Sequence, residues 1–400
     1  MKICMLSNLF APVVSGSATQ CEGLARALAA QGHEVLVITA RLSPDAPEQA
    51  TEGGVTIHRL PAVRLPAMGI ALNFPWLSVT QTPANRRRLR ALVERHGAEV
   101  IHVHNHMFDL ALGGAAVSRA LGVPMVVTLH TIIRHPNRAY DLLLRLPDRL
   151  LLGPRVLAQA SAVVCPDVNV QAYLRSRFGR EGEIIPYGVQ LDPAADDEVE
   201  RARDEFGLRG KRVVLSVGHV HALRNRADLL RAFPRVVAAV PEATLVIVGD
   251  VADPSPVRLA RSLGLNGHVV FTGAQPRRQV SALLGLAELE AHWLNQDEPS
   301  RTSLGVASLE AMSLGRTILA AANVDSYGPG VLQSGENLVI VEAGRPEALA
   351  QELIGLLADD ARRARIGANA RRTVSERFSW SAVAARTAAL YASVRGPRGR

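Results

Sequence analysis

The sequence predicts an α/β protein made of two doubly wound, parallel-sheet domains. Short runs rich in valine and isoleucine alternate with helical patterns along the chain. Near-continuous apolar strands of this kind are typical of parallel sheets that helices cover on both faces. The alternation stops at a charged stretch, 191–207, and then starts again. Since 400 residues are enough for two domains, we place a domain boundary there.

The first half begins with the apolar run KICMLS, which predicts a strand followed by a loop and a helix near 17–31. A basic amphipathic pattern, NRRRLRALVERHG, predicts a helix over 85–97. The later strands are each preceded by helical sequence, which indicates parallel pairing. The predicted strands are 2–7, 33–39, 55–60, 99–104, 124–130 and 160–166, and EGEIIPYGV at 181–189 closes this half.

The stretch 191–207 is predicted to hold a linker and the first helix of the second domain. The predicted strands of that domain are 212–218, 243–250, 268–273, 288–294 and 316–321. Three helical segments end the chain, at 346–360, 361–378 and 379–394. We therefore expect domains at 1–192 and 193–378, and a separate C-terminal helical segment at 379–400.

The composition excludes several classes of protein. A chain that is 48% hydrophobic and 20% charged is ordinary for a globular protein, which argues against a large disordered fraction. No run of eighteen apolar residues is present, so we expect no membrane span. The N-terminal sequence has the pattern of a strand and a loop rather than of a signal peptide. We expect a cytoplasmic protein, either free or peripheral at the inner membrane face.

The net charge of +8 suits a polyanionic ligand, an anionic membrane surface or nucleic acid. Nucleic acid is the weakest of the three, because the basic residues are scattered and not interleaved with aromatic side chains. The cysteines lack metal-ligand spacing and are expected to be buried free thiols. The alternating His102, His104 and His106 have no carboxylate and cysteine set nearby, so we predict no metal site.

Ligands of doubly wound sheets bind outside the carboxyl ends of the strands, so the candidate residues are sought in strand-to-helix loops. Gly16 lies in the first such loop, where a bare backbone at a helix N-terminus can approach an anion. A turn glycine is the alternative. His130 ends a strand and is a candidate for binding a substrate hydroxyl or stabilising developing charge. A structural histidine is the alternative there.

Two further loops carry groups suited to a diphosphate. Gly218 follows a strand, and His219, Arg224 and Arg226 lie in the loop before the next helix. Arginine offers a planar fork of donors for phosphate oxygens, although solvated loop arginines are the alternative. In the other loop, Thr302, Ser303, Leu304 and Gly305 lead into a helix.

The first amides of that helix, around Gly305 and Val306, are placed to grip a diphosphate. Glu310 lies inside the same helix, in an apolar stretch where a carboxylate needs a partner. Vicinal ribose hydroxyls or a neighbouring backbone group are the two partners considered.

These segments, in this order, resemble the family 4 retaining glycosyltransferases of the GT-B fold. The resemblance covers nearly the whole chain and is carried by an ordered set of motifs. They are QGHEVLVIT, VIHVH, VVTLHT, IIPYGV, LSVG, VIVGD, VVFTG, SLEAMSLG, SGENLVIV and ERFSW. The resemblance implies two Rossmann-like domains facing across a cleft. The N-terminal domain binds the acceptor, the C-terminal domain binds the nucleotide-sugar donor, and the C-terminal helix packs back on the N-terminal domain.

The resemblance also implies roles for single residues. Gly16 matches a glycine that approaches the donor diphosphate, and His130 matches a histidine that lies against the donor sugar. Arg224 stands where the family has a lysine that binds the diphosphate. Glu310 matches the second glutamate of the E-x7-E motif, which binds the nucleotide ribose. The segment whose amides face the phosphates and the sugar is Leu304, Gly305 and Val306.

Two positions depart from the family pattern. Thr302 stands where the first glutamate of the motif contacts the donor sugar, and His219 stands where the family has an arginine. Either the donor sugar is unusual, or Ser303 or Glu298 takes over the missing role, or the enzyme is slow or inactive. We favour the first two explanations together, because the groups predicted to bind the diphosphate and Glu310 are intact.

The expected reaction is transfer of a sugar from a nucleotide diphosphate sugar to an acceptor hydroxyl, with retention and without a metal or cofactor. A UDP- or GDP-sugar is the expected donor. The alternatives are a catalytically impaired scaffold protein and a nucleotide-sugar epimerase. The predicted catalytic residues are His130, Arg224 and Thr302. The predicted donor-binding residues are Gly16, Gly218, His219, Arg224, Ser303, Leu304, Gly305, Val306 and Glu310.

The acceptor is expected to bind the first domain. The apolar stretch 61–85 and the Arg- and Leu-containing stretch 134–155 could meet a lipid-linked acceptor at an anionic membrane, helped by the basic helix at 85–97. A basic helix that is simply solvated is the alternative. A small-molecule acceptor, such as an aminocyclitol, or a glycan therefore stays open.

Overall fold

The computed structural model describes residues 1–13, 15–64, 78–133, 138–220, 224–293 and 303–395. The chain divides into two compact units. The first unit consists of Met1–Gly188 and Trp380–Arg400, and the second unit is Val189–Ser379. The chain thus changes unit after Gly188 and again after Ser379, against predicted changes after 192 and 378.

The first unit is built on a sheet of eight strands in the order β10-β9-β8-β7-β1-β2-β4-β3. All neighbours pair in parallel except β3 and β4. A separate antiparallel pair is formed by β5 and β6. The strands are β1 (Lys2–Ser7), β2 (Glu34–Arg41), β3 (Gln49–Glu52), β4 (Val55–Pro61), β5 (Val63–Arg64), β6 (Ser78–Val79), β7 (Val100–His104), β8 (Met125–Thr128), β9 (Ala160–Cys165) and β10 (Glu183–Ile184).

Helices connect these strands. They are α1 (Gly16–Ala30), α2 (Pro83–His96), α3 (Asp109–Leu121), α4 (Arg138–Pro147), a π-helical turn (Asp148–Leu152), α5 (Gly153–Leu157) and α6 (Val168–Phe178). The limits of α2 follow from local chemistry. The Thr82 side chain accepts a hydrogen bond from the Asn85 amide, Pro83 starts the helix, and Gly97 ends it with a φ of 65°.

The second unit is a six-stranded parallel sheet in the order β13-β12-β11-β14-β15-β16. Its strands are β11 (Arg212–Val217), β12 (Ala243–Val248), β13 (Val269–Gly273), β14 (Leu289–His292), β15 (Thr317–Ala320) and β16 (Val339–Ile340). Its helices are α7 (Asp196–Glu205), α8 (Arg226–Ala239), α9 (Ser255–Ser262), α10 (Arg277–Leu286), α11 (Val306–Ser313), α12 (Pro346–Ala358) and α13 (Asp360–Arg377).

The last helix, α14 (Trp380–Val394), belongs to the first unit and packs on α1. Its Tyr391 is fully buried and is hydrogen-bonded through its hydroxyl to His102 Nδ1 at 2.6 Å. A Cβ atom on Gly23 or on Gly188 would collide with the ring of Trp380, so these glycines permit the close approach. The predicted return of the C-terminal helix to the N-terminal domain is confirmed.

Both faces of each sheet are apolar, which explains the continuous Val and Ile runs. Along β1, Cys4 and Leu6 enter one core, whereas Ile3 and Met5 enter the core on the opposite face. The predicted pair of doubly wound α/β domains is confirmed.

Several local expectations were wrong. The strand β3, formed by QATE, lies between the predicted strands 33–39 and 55–60, where no strand was predicted, because its mostly polar, exposed residues carry no apolar pattern. The predicted strand at 124–130 covers only 125–128. By contrast, the helix predicted within 191–207 is confirmed as α7, the ten residues Asp196–Glu205. Of the stretch 61–85, residues 65–77 lie outside the described part of the chain. The prediction of buried free thiols is confirmed for Cys4, Cys21 and Cys165.

The strand orders locate a crevice in each unit. In the first unit β1 lies between β2 and β7, and in the second unit β11 lies between β12 and β14. At these places the connections run to opposite faces of the sheet. The loops after β1 and β7 therefore diverge and leave a crevice between them, and so do the loops after β11 and β14. Among the described residues, no helix is long and apolar enough to cross a membrane.

Candidate functional site

The crevice of the second unit is lined first by the loop after β11. Gly218 has a φ of 129°, a conformation that side chains disfavour. A Cβ atom there would collide with the guanidinium of Arg224, which donates a hydrogen bond from Nη1 to the Val217 carbonyl at 3.0 Å. Gly218 therefore lets Arg224 lie flat against the strand end. His219, the next residue, is exposed.

Arg226 adds a second cation to this crevice. It is the first residue of α8, is only 2% exposed, and donates from Nη2 to the Gly218 carbonyl at 3.2 Å. Burial first, and then the charge of Arg224, lower the pKa of Arg226 to about 10, against the opposing effect of Glu290. Burial likewise lowers the pKa of Arg224. Two partly desolvated arginines at one strand end form a site that favours an anion.

Glu290 on β14 is the buried carboxyl of this crevice. Its Oε2 accepts a hydrogen bond from Ser308 Oγ at 2.9 Å, and Oε1 has no partner among the described residues. Burial raises the pKa of Glu290 to about 7, against the opposing effects of Ser308 and the two arginines. The carboxyl is therefore close to half protonated at neutral pH, and the crevice keeps a positive charge.

His292, two residues further along β14, is 1% exposed. Neither of its ring nitrogens has a hydrogen-bond partner within the described ranges. Burial, and then the charges of Arg224 and Arg226, lower the pKa of His292 to about 3, so its imidazole is neutral. A neutral imidazole carries one donor and one acceptor, and both are unused here.

The N-terminus of α11 completes the group. Gly305 precedes the helix in extended conformation, with Val306 as the first helical residue. A Cβ atom on Gly305 would lie 3.2 Å from His292 Cε1 and 3.7 Å from Arg224 Nη2, so these three residues are neighbours. The helix start, which carries partial positive charge and unpaired amides, thus lies beside the arginines.

The remaining predicted residues of this segment are placed as follows. Leu304 is buried, and its carbonyl accepts a hydrogen bond from the Tyr327 hydroxyl at 2.7 Å. Ser303 is half-buried at the edge of the described segment. Thr302 and Glu298 lie outside the described residues.

Glu310 lies one turn into α11 and has a partner that the sequence did not suggest. Arg277, at the start of α10, forms an ion pair with it, with 2.6 Å between Nη2 and Oε1. Burial raises the pKa of Glu310, and Arg277 opposes that rise. Because Arg277 is more than half exposed, ligand hydroxyls could share or replace it at the carboxylate.

In the first unit, Gly16 is the first residue of α1 rather than part of the preceding loop. Ser15 caps this helix, and its Oγ accepts a hydrogen bond from the Ala18 amide at 3.2 Å. No atom lies within 4 Å of a Cβ atom built on Gly16, so packing within the chain does not require glycine there. The open space above the helix start leaves room for a ligand.

His130 follows β8, and both of its ring nitrogens are occupied. Nε2 is hydrogen-bonded to His104 Nδ1 at 2.9 Å, and Nδ1 to the Tyr187 hydroxyl at 3.0 Å. The three rings stack, with centroids 5.2 Å and 5.5 Å apart. Burial lowers the pKa of His130 to about 4, so the imidazole is neutral. A substrate hydroxyl must therefore displace one of these partners to bind a ring nitrogen.

The other two histidines of the alternating set also have side-chain partners. His102 Nε2 is hydrogen-bonded to Thr128 Oγ1 at 2.7 Å, and His106 Nε2 to Asp148 Oδ1 at 2.7 Å. Within the described ranges, no group of three His, Cys, Asp or Glu side chains is arranged to hold a metal ion.

The structure brings Gly305 together with Gly218 and Arg224, which the sequence analysis had placed in a different loop. It places Arg226 beside them, which the sequence analysis named in the loop after Gly218 but left out of the donor-binding residues. It adds Glu290 and His292, which the sequence analysis did not name. The available signal for the last two was a glutamate and a histidine inside the otherwise apolar strand pattern ELEAHWL. A polar or charged side chain at a position that faces a core costs free energy unless it has a partner, so its presence there indicates a structural or functional role.

Two family models match the chain. The first, Glycosyltransferase Family 4, matches residues 14–193, and the second, Glycosyl transferases group 1, matches residues 198–373.

Similar proteins have both sequence and fold in common with the chain. D-inositol 3-phosphate glycosyltransferase of Xylanimonas cellulosilytica is 30% identical over 392 residues, which cover 92% of this chain and 89% of that protein. Phosphatidyl-myo-inositol mannosyltransferase of Mycolicibacterium smegmatis is 26% identical over 401 residues, covering 99% and 95%. The solved structure of Anabaena HepE in complex with UDP has a TM-score of 0.70 at 19% identity, covering 98% and 100%.

Proposed function

Because this chain belongs to the family 4 glycosyltransferases of the GT-B fold, we propose that it transfers a sugar from a nucleotide diphosphate sugar with retention at the anomeric carbon and without a metal ion. UDP- and GDP-sugars are the proposed donors. The second unit is the proposed donor-binding domain, and the first unit is the proposed acceptor-binding domain.

The observation that carries the proposal is the group of cations and amides at the ends of β11 and β14. Arg224 and Arg226 are desolvated, they lie at one strand end, and Arg224 is a neighbour of the α11 N-terminus at Gly305. Charges in such a site act more strongly than in water. The site therefore suits a diphosphate, whose negative charge grows when the bond to the sugar breaks.

In the proposed reaction, the bond between the anomeric carbon and the phosphate oxygen breaks and a bond to the acceptor oxygen forms on the same face. The acceptor hydroxyl gives its proton to the leaving phosphate oxygen. Arg224 and the amides at Gly305 and Val306 stabilise the diphosphate that is released. No protein base takes part, because the leaving phosphate oxygen accepts the proton, and no divalent ion takes part, because the arginine and the amides supply the positive charge.

Further roles follow the family pattern. Glu310 binds the ribose hydroxyls by exchanging Arg277 for them, and Ser303 and Leu304 contribute backbone groups beside Gly305. Gly218 holds Arg224 in place, and the exposed His219 is a further donor contact. In the first unit, Gly16 is proposed for the diphosphate and His130 for the sugar, and Thr302 takes the position of the first motif glutamate.

The names of the relatives indicate where to look for an acceptor. The two described above are named for inositol phosphate and for phosphatidyl-myo-inositol. We therefore place cyclitol hydroxyls first among the small-molecule, glycan and lipid-linked acceptors.

Donor binding is the first experiment. Thermal shift with UDP-, GDP-, ADP- and dTDP-sugars is measured on the wild type and on Arg224→Met and Glu310→Gln, with the exposed Arg261→Met as the matched control. One nucleotide class should stabilise the wild type and the control, by about 2.7 kcal/mol at a hundredfold excess over the dissociation constant. Both site variants should lose that stabilisation. Absence of stabilisation by every donor would overturn the proposal.

Turnover separates the transferase from the scaffold alternative, which Thr302 in a glutamate position keeps open. Release of the nucleoside diphosphate in the presence of cyclitol acceptors, unchanged by EDTA, supports metal-independent transfer. The anomeric configuration of the product, read by NMR, tests retention. Donor binding with no release of nucleoside diphosphate under any condition would favour the scaffold.

A further inference from the structure

The most unusual surface of the first unit is a row of exposed leucines on a continuous helical stretch, 138–157. This stretch runs through α4, the π-helical turn and α5, and α4 buries none of its ten residues. We call its exposed apolar side chains the leucine face. They are Leu142 (64% exposed), Leu143 (55%), Leu146 (53%), Leu150 (66%) and Leu151 (43%). Exposed apolar side chains are ordinary when scattered, whereas a contiguous set marks an interaction surface.

The leucine face is held outward by a buried polar anchor. Asp148, at the start of the π-helical turn, is 1% exposed. It accepts hydrogen bonds from His106 Nε2 at 2.7 Å and from the Tyr173 hydroxyl at 2.9 Å. Arg177 lies 3.6 Å from the same carboxylate and donates to the Arg145 carbonyl at 3.0 Å. Turning the leucines inward would break this cluster and leave a charge unpaired in the interior.

Basic side chains border the leucine face. Arg138, Arg145 and Arg149 are spaced by seven and four residues, so they lie in one row along the helix. Each residue of an α-helix is rotated by about 100° around the helix axis from the one before it. Seen along that axis, Leu142, Leu143 and Leu146 span an arc of about 100°, and the arginine row lies next to one edge of this arc. Arg145 is paired with Asp141 at 2.7 Å, whereas Arg138 and Arg149 are exposed.

We infer that the leucine face binds the surface of an anionic lipid bilayer. An apolar arc with a basic border is the pattern of a helix that lies in the interface, with leucines among the acyl chains and arginines at the lipid phosphates. The net charge of +8 adds long-range attraction to such a surface. A second copy of the chain fits less well, because an antiparallel two-fold contact through the same patch brings the arginine rows together on one side. The inference is independent of donor binding.

The test is co-sedimentation of the full chain with two kinds of vesicle, phosphatidylcholine alone and phosphatidylcholine mixed with phosphatidylglycerol. The wild type should bind the mixed vesicles and bind phosphatidylcholine vesicles much more weakly. Added salt should weaken binding to the mixed vesicles, because screening reduces the attraction of the arginines.

Variants separate the two contributions. Leu142→Gln with Leu143→Gln and Leu146→Gln should lower the partition coefficient about tenfold or more, because binding scales with buried apolar area. Arg138→Gln with Arg149→Gln should lower it about fivefold for each arginine, on mixed vesicles only. The matched control for charge is Arg258→Gln with Arg261→Gln, two exposed arginines on α9 of the second unit, which removes the same net charge away from the leucine face and should leave binding nearly unchanged.

Stabilisation by the donor should be the same in the leucine variant as in the wild type, which shows that the variant is folded and separates this inference from the proposed function. Failure of the wild type to bind mixed vesicles would overturn the inference. So would equal binding by the leucine variant, or a wild-type dimer that the leucine substitutions turn into a monomer without any vesicle binding.

Discussion

Replacement of Glu290 by Gln should remove a pH dependence of stability from the second unit. Glu290 is fully buried on β14, its Oε2 accepts a hydrogen bond from Ser308, and burial raises its pKa from the ordinary 4.5 to about 7. Glutamine keeps the shape and the acceptor for Ser308, and it resembles the protonated carboxyl.

The magnitude follows from linkage. Between pH 4.5 and 7 the folded protein holds this proton while the unfolded chain releases it, so the folded state becomes less stable as the pH rises. The difference between those two pKa values, at about 1.4 kcal/mol for each pH unit, corresponds to about 3 kcal/mol. Below pH 4.5 the wild type and Glu290→Gln should be equally stable, and above pH 7 the variant should be the more stable one by up to that amount.

Urea titrations at several pH values, read out by hydrogen exchange of peptides from β14, measure the free energy of unfolding of this unit. Glu242→Gln, an exposed carboxylate on the same unit, is the matched control and should keep the wild-type slope. A wild type whose stability does not fall between pH 5 and 8, or a Glu290→Gln variant that keeps the slope, would refute the reasoning.

Three further outcomes are expected. Arg224→Met should weaken binding of a nucleoside diphosphate about tenfold to a hundredfold in calorimetry, because it removes hydrogen bonds between charged groups. Unchanged affinity would remove this arginine from the site. Gly305→Ala should weaken the same binding, because the added Cβ atom lies at the helix start among the proposed diphosphate contacts. Its melting temperature should stay close to that of the wild type, because the Cβ atom lies 3.2 Å from His292 Cε1, a contact that a small shift relieves. Tyr391→Phe should destabilise the first unit by about 1–3 kcal/mol in urea unfolding, because His102 Nδ1 loses a buried partner. Wild-type stability in that variant would show that the contact contributes nothing.

Much of the fold was predictable because its signals are local. β1 alternates between two cores, so the run KICMLS is apolar throughout, and that pattern needs no knowledge of its neighbours. The strand β3 was missed because three of the four residues in QATE are polar, and the backbone pairing with β4 that makes it a strand is not visible in its sequence. Backbone pairing leaves no trace in side-chain periodicity.

The candidate site was predictable in part. Gly218, Arg224 and Gly305 were found from their places after strands, since parallel strands must end at one edge of a sheet. Their mutual contact was not predictable, and neither was the burial of Glu290 beside two arginines. His130 was placed correctly at a strand end, but its hydrogen bonds to His104 and Tyr187 occupy the nitrogens that the sequence interpretation had offered to a substrate.

Periodicity, capping residues and turn glycines act over a few neighbouring residues, and they were enough to establish two doubly wound domains and the loops in which ligands bind. The partners of each buried polar group depended on chain segments far apart. Tyr391 meets His102 across 289 residues, and Ser308 meets Glu290 from the next helix. Burial and charge, which fix the protonation of these groups, exist only after the strands and helices have packed, so the chemistry of the site was decided at that level.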